Sequence, residues 1–201
     1  MTSTEHAGAR PFAGEEFENE TFAALNAAGH DLRNKTFVDC HFKNCDLSNV
    51  DLTSSLFETC TFTECNLSLV TVNDAKFRGV TFNSCKILGV VFSRCDTLSV
   101  DLNFMKCILR NCNFSGLTLR KMPARECEII DSDFINVDLT GADFSDSVFH
   151  GTEFNNANLT KASFIDARGY AINPLSNKIK KAQFSMPEAI SLVRHLDVII
   201  K

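Results

Sequence analysis

The sequence predicts an all-β solenoid, a right-handed quadrilateral parallel β-helix made of five-residue repeats, and three observations predict it. Large apolar residues recur at every fifth position from Phe12 to Phe92 and again, two residues out of phase, from Phe104 to Phe164, and all eighteen Phe except Phe184 stand at these centres. A smaller residue stands two places before each centre, and all nine cysteines, Cys40, Cys45, Cys60, Cys65, Cys85, Cys95, Cys107, Cys112 and Cys127, occupy that slot. Centres twenty residues apart agree in type: Phe17, Phe37, Phe57 and Phe77 form one column, Phe22, Phe42, Phe62 and Phe82 another, and Ala27, Leu47, Leu67 and Ile87 an aliphatic one. A strict period of five matches neither the 3.6 of a helix nor the 2 of a strand. The twenty-residue recurrence assigns four pentads to each coil.

Taken in chain order, residues 1–11 form a flexible N-terminal lead, 12–168 the β-helix and 169–201 a C-terminal cap and dimerisation segment. Coils stacked about 4.8 Å apart satisfy one another's backbone groups while like side chains form ladders inside. About seven and a half coils make a rod roughly 36 Å long. The period breaks between Ser93 and Asn103, where Thr97 stands at a position due an apolar centre and Leu98, Val100 and Leu102 compete for the slot. Two readings remain open there, a two-residue insertion that bulges one corner and a projection that touches a partner. In the tail, Ser185-Met186-Pro187-Glu188 reads as a capping box with Pro just inside a helix of about ten residues. Met186, Ala189, Ile190, Val193 and Leu196 then share one face, and Val198 and Ile199 open a β-prone run. That segment either covers the last coil against edge pairing or joins two chains.

Composition limits the chemistry. With 44% hydrophobic and 22% charged residues the chain builds a core without being a disordered tail. No stretch approaches the roughly 20 apolar residues of a membrane span, and the first eleven residues hold no apolar run of export-signal length. The expectation is a cytoplasmic protein with reduced thiols and no membrane contact. Cys40, His41 and Cys45 are close in sequence, but in this register the thiols point inward and the imidazole outward, so no convergent metal set forms. The five His show no nucleophile or carboxylate partner at a recognisable spacing, and no glycine-rich phosphate loop occurs. No catalytic residue, metal site or cofactor is expected, and the chain is read as a binding protein rather than an enzyme.

The repeat unit resembles that of the pentapeptide-repeat family, a small residue, a polar residue, Leu or Phe, and two further polar residues. Cys-Asp-Leu-Ser-Asn at Cys45 to Asn49 and Ala-Asp-Phe-Ser-Asp at Ala142 to Asp146 match it. The ending from Ala162 to Ile199, with Ala-Ser-Phe-Ile-Asp-Ala and Lys-Ile-Lys-Lys-Ala-Gln-Phe-Ser-Met-Pro-Glu-Ala, is similar to that of the gyrase-protecting members, the Qnr-type quinolone-resistance proteins. Cys-Asn-Leu-Ser-Leu at Cys65 to Leu69 and Cys-Lys-Ile-Leu-Gly-Val at Cys85 to Val90 look closest to the albicidin-resistance member. The resemblance implies a homodimer joined through the tail by Met186, Ala189, Ile190, Val193, Leu196, Val198 and Ile199. It also implies that the dimer mimics DNA, binds both subunits of DNA gyrase and, as a second target, topoisomerase IV, and binds no nucleic acid directly. The alternative implied by the repeat alone is a scaffold for an unrelated protein.

The charge pattern bears on that choice. The net charge is −5, but it is blocky: −7 over residues 11–66, +6 over 67–125, −8 over 126–166 and +4 over 167–201. Eight net charges over about two coils amount to one per ~1.2 Å of axis, comparable with one per ~1.7 Å in duplex DNA. The acidic, DNA-mimicking face is assigned to Glu126, Glu128, Asp131, Asp133, Asp138, Asp143, Asp146 and Glu153. The basic middle argues against mimicry along the whole rod.

Overall fold

The computed structural model of the chain describes residues 5–6, 12–98 and 100–196. It is an all-β parallel solenoid of about 8 turns ending in one short helix. Every strand pair is parallel, and partners lie one coil apart, as in Phe17 beside Phe37, Phe42 beside Phe62 and Phe134 beside Phe154. The four sides are named here by their inward centres. The first carries Phe17, Phe37, Phe57, Phe77, Leu119, Leu139, Leu159 and Ile179; the second Phe22, Phe42, Phe62, Phe82, Phe104, Ala124, Phe144, Phe164 and Phe184. The third carries Ala27, Leu47, Leu67, Ile87, Leu109, Ile129 and Phe149; the fourth Leu32, Leu52, Val72, Phe92, Phe114, Phe134, Phe154 and Ile172.

The core is a set of ladders. Ring centroids repeat at 4.9 Å from Phe17 to Phe37 and from Phe37 to Phe57, and at 4.5 Å from Phe42 to Phe62. Neighbouring ladders meet edge-on, as between Phe37 and Phe42 with planes 68° apart. Both arrangements are favourable for ring quadrupoles. Behind the third-side centres, Cys45, Cys65, Cys85, Cys107 and Cys127 follow one another up the rod; the Cys65 thiol donates to the Phe42 carbonyl at 3.4 Å and its sulfur receives the Cys45 N–H at 3.4 Å. All nine cysteines are free and buried. Burial pushes the Cys95 and Cys112 thiols up to about 11, so they are neutral at ordinary pH.

Corners repeat with the same step. The second residue after most centres has positive φ, at Asn19, Asp39, Asn49, Asp131 and Asp146 among many others, whereas Arg94 after Phe92 lies in a 3₁₀ turn. The corner N–H donates to the next coil, as Asn19 does to Val38 (3.0 Å) and Asn49 to Ser68 (2.8 Å). Asn, Asp and Gly prevail because they tolerate this region. Two of the glycines have a further reason: a Cβ on Gly169 would strike the Phe149 backbone carbonyl, whereas one on Gly89 would meet only the tip of Leu69 at 2.7 Å.

Sides differ by their outward residues. Where an Asp or Asn precedes a Leu centre and a Ser or Thr follows it, the carboxyl or amide oxygen accepts the N–H two residues on and the pentad closes as a turn. Asp46 does so to Ser48, Asp51 to Thr53, Asp138 to Thr140 and Asn158 to Thr160, at 2.9–3.2 Å. Phe pentads on the first and second sides of the N-terminal half form short strands instead, such as Thr36–Val38 and Thr61–Thr63. Beyond the break the three-residue strands lie on the third and fourth sides, with Ile108–Arg110, Glu128–Ile130, Asp133–Ile135 and Glu153–Asn155, while the second side keeps two-residue strands such as Ala124–Arg125 and Ser163–Phe164.

The break is a bulge confined to the first side. Phe104 lies over Phe82 with centroids 5.3 Å apart, so the second-side ladder passes through unbroken. Register slips only between Val100 and Leu102. Leu102 fills the inward slot ahead of Phe104 at 1% exposure, while Leu98 is thrown out at 95%.

Coil geometry also runs past residue 168. Ala171–Ile172 pairs with Glu153–Phe154 and Gln183–Phe184 with Ser163–Phe164. Asn177 sits inward over Ala157, accepting its N–H at 2.9 Å. Asn177 is a polar residue in an apolar slot, and the irregular steps through Tyr170 and Ile172 hide this last coil from a period-five reading. At the other end, Glu5–His6 pairs with Thr21–Phe22; the rest of the lead lies outside the described residues.

The tail corrects the capping-box reading. The helix Glu188–His195 is a 3₁₀ helix, Pro187 is its N-cap rather than its first residue, and no side chain caps it. The Ser185 hydroxyl instead accepts the Asp166 N–H at 3.0 Å, tying the tail to the preceding coil. Its backbone carbonyl accepts the Ala189 N–H. Three-residue turns also turn Leu192 toward the core.

Replacing Gly169 by Ala is expected to cost about 1–3 kcal/mol, because the Phe149 carbonyl is fixed in its ladder. Gly89→Ala should cost only about 1 kcal/mol, the corner φ alone, as Leu69 swings away. Urea unfolding of both variants checks the ranking. Burial would raise the Asp138 carboxyl, but hydrogen bonds from Thr140 and Arg120 outweigh it and hold the group below the usual carboxylate range. Such a group stabilises the fold above its unfolded pKa of about 3.9 and loses that contribution as pH falls through the lower folded value. Asp138→Asn should therefore be about 1 kcal/mol less stable than the parent at neutral pH, with the gap closing below about pH 4.

Candidate functional site

The eight acidic residues do not share one face. Glu128 projects from the third side; Asp133 and Glu153 from the fourth; Asp138 from the first and Asp143 from the second. Glu126 and Asp146 occupy the corner after the second side and Asp131 the corner after the third. Together they ring the rod over two coils. The linear spacing showed that these positions face outward, but the side each belongs to depends on its residue number within a coil of twenty.

Ion pairing divides the ring. Arg120 reaches Asp138 at 2.7 Å, Arg125 reaches Asp143 at 3.5 Å and Lys106 reaches Glu126 at 3.5 Å. Asp138 and Asp143 are half-buried and also close turns, on Thr140 and Ser145. Their role is structural, and the signal for it was Asp-Leu-Thr and Asp-Phe-Ser, an Asp with a hydroxyl residue two places on. The arginine partners were legible only as residues eighteen positions away, one coil back.

Glu128, Asp131, Asp133, Asp146 and Glu153 have no basic partner among the described residues; Asp133 receives only the Asn113 amide, at 3.5 Å. These five run without interruption from the corner before the third side, across that side, to the fourth. Gly151 lies directly over Asp131, and having no Cβ it leaves space for the Asp131 carboxylate. Asp166, stacked after Asp146, extends the field to the last coil, where Arg168 bounds it. The field lies on the strand-bearing sides of this half, where outward side chains stand perpendicular to a flat surface.

The tail residues expected at a dimer contact form a separate patch. Met186, Ile190 and Leu196 are 71%, 41% and 43% exposed, while Ala189 and Val193 are half-buried. Val198 and Ile199 lie outside the described residues. Between the patch and the acidic corner is a groove of about 540 Å³ lined by Asp146, Asp166, Arg168, Ser185, Met186 and Glu188. Among the described residues no group of three or more His, Cys, Asp or Glu is placed to hold a metal ion, and no helix is long and apolar enough to cross a membrane.

Comparison with known proteins places the fold. No curated protein matches the sequence. Among solved structures, full-length QnrB1, described as a plasmid-mediated fluoroquinolone resistance protein, superposes with a TM-score of 0.67 at 20% identity, covering 93% of this chain and 92% of that one. A trypsin-treated QnrB1 variant gives a TM-score of 0.67 at 21% identity, covering 94% and 92%. The family model described as a pentapeptide repeat region matches residues 35–103 and 89–164. With most of its length matched and its coils built on a five-residue step, the chain belongs to the pentapeptide-repeat family.

Proposed function

We propose that the chain is a homodimeric DNA mimic that binds DNA gyrase and relieves its poisoning by a quinolone or by a natural toxin such as albicidin, with topoisomerase IV as a second target. The observation that carries this reading is the field of five unpaired carboxylates on the third and fourth sides. An enzyme that grips duplex DNA presents a cationic groove to phosphates spaced at about 1.7 Å per charge along the axis. A rod with carboxylates on adjacent sides and corners of successive coils, about 4.8 Å apart, offers that groove a stiff substitute with no chain entropy left to lose. Steering by such a field favours encounter over affinity and weakens with salt. Likeness in shape to a fluoroquinolone resistance protein over nearly the whole of both chains supports the same reading. Joining two rods at the exposed Met186, Ile190 and Leu196 patch would cover apolar surface and double the length of the mimic.

Gyrase supercoiling with and without a fluoroquinolone tests the mechanism. Changing Glu128→Gln, Asp131→Asn, Asp133→Asn and Glu153→Gln together should reduce protection about tenfold or more and flatten its salt dependence. Changing the paired Asp138 and Asp143 to Asn should alter protection much less. Full protection by a folded, dimeric quadruple variant would leave a scaffold for an unrelated partner as the better account.

Sedimentation tests the dimer. Ile190→Glu with Leu196→Glu, both at exposed positions, should give folded monomers, as should deletion from Ser185 onward if the shortened rod folds. An unchanged dimer in the double variant would remove the tail from the interface.

A further inference from the structure

The first side of the rod reverses its charge along its length. In the N-terminal coils its outward positions hold Glu16, Glu18, Asp39 and Glu58; at the C-terminal end they hold Lys161, Lys178, Lys180 and Lys181, all four exposed. Lys178 stands at the bridge position beside Asn158, and the Lys161 N–H donates to the Lys180 carbonyl at 2.9 Å. Lys161 and Lys181 are successive corner residues, with φ of 60° and 58°. Coils lie about 4.8 Å apart and residues two positions along a coil about 6.6 Å apart, so the four ammonium groups start from backbone positions within roughly 10 Å of one another. None of them has an acidic partner among the described residues. The first-side carboxylate nearest to them, Asp138, is held by Arg120, and Asp101 lies two coils farther down, beside Thr118, Arg120 and Lys121.

This grouping cuts across the linear charge blocks, since Lys161 belongs to the acidic stretch and the other three to the tail. Around the lysines the outward residues are small and polar: Thr140, Asn158, Thr160 and Gly141. Leu175, the exposed apolar residue nearest in the chain, lies in the preceding turn. Protein interfaces depend on aromatic, arginine and aliphatic anchors and are depleted in lysine. Phosphate backbones, in contrast, are held by lysine together with hydroxyl and amide donors. We propose, against the expectation drawn from the family resemblance that the chain binds no nucleic acid directly, that this end of the first side docks the phosphate backbone of duplex DNA without reading its sequence.

A second copy of the chain is the competing occupant, because the acidic end of the same side could face the lysines of an antiparallel neighbour. Its acids are already engaged: Glu58 is paired with Arg78 at 3.2 Å and Asp39 accepts the Thr59 hydroxyl. Glu16 and Glu18 are left against four lysines, and the match is poor. The acidic field runs from the corner before the third side, which lies opposite the first, onto the fourth, which adjoins it. Duplex DNA would be repelled there and drawn to the lysines, so the two surfaces could serve an enzyme and its DNA at once.

Fluorescence anisotropy of a labelled duplex of about 20 base pairs, with no topoisomerase present, tests the site apart from the proposed function. The parent should bind, with log K falling against log salt at a slope of about −3 to −4 between roughly 50 and 200 mM. Lys161→Gln, Lys178→Gln, Lys180→Gln and Lys181→Gln together should weaken binding about tenfold or more at the lower salt and remove most of that slope. Lys35→Gln, Lys43→Gln and Lys86→Gln together should leave it nearly unchanged. Absence of binding by the folded parent at the lower salt, or equal binding by the quadruple variant, would overturn the proposal. So would low-salt self-association that is abolished both by the quadruple variant and by Glu16→Gln with Glu18→Gln, which would make the occupant a second copy.

Discussion

Four corners in every twenty residues are the constraint on which this structure depends. Nearly every corner residue is held at positive φ, a conformation costing an L-residue on the order of 1–2 kcal/mol where no glycine relieves it. The cost is offset locally, since the corner N–H points up the rod and donates to the next coil, as at Asn34, Asn44, Lys121 and Lys161. A corner is therefore stable only in the presence of its neighbouring coil. This makes the rod cooperative along its axis and explains why both ends are covered, by Glu5–His6 beside Thr21–Phe22 at one and the Glu188–His195 helix at the other.

Inside that frame, side-chain volume and outward chemistry act together. Phe ladders at 4.5–5.7 Å fill the width of the coil. Leu columns leave room that is compensated by bulk on a neighbouring side: when the first side changes from Phe77 to Leu119 beyond the bulge, the adjoining fourth changes from Val72 to Phe92 and Phe114. The core thus keeps its volume while the phenylalanines move around the square. Strand-forming sides move with them, which brings the flat sides of the C-terminal half under Glu128, Asp133 and Glu153.

Much of this was legible in the sequence because the period is so strict. Centres, inward cysteines and four-sided coils follow from residue numbers alone, and the two-residue phase shift is enough to place Cys107 above Cys85. The capping box was misread because Ser185 has a stronger use, bonding the Asp166 N–H, and because Pro187 forms the cap itself. The last coil was missed because Tyr170, Ile172 and Asn177 meet the slots at irregular steps that only three-dimensional packing accommodates. The acidic positions were recognised as outward, yet treating them as one face overlooked that successive pentads turn by a quarter of the square. Their ion pairs, which decide which carboxylates are free, form between residues eighteen or twenty apart.

A rod turns a modest linear excess of charge into surfaces of opposite sign. With five positions per side, one residue of each pentad on a given side faces out just ahead of the centre, so charge on one side is set by residues twenty apart and is independent of the next side. Arg120 and Arg125 pair with Asp138 and Asp143, the carboxylates just ahead of the first- and second-side centres in these coils, while Glu128, Asp133 and Glu153 on the third and fourth sides stay unanswered. Lys161, Lys178, Lys180 and Lys181 have no acidic partner among the described residues. The stiffness that the corners and ladders impose keeps these surfaces apart, because each side chain is anchored to a backbone bonded to the coils above and below it.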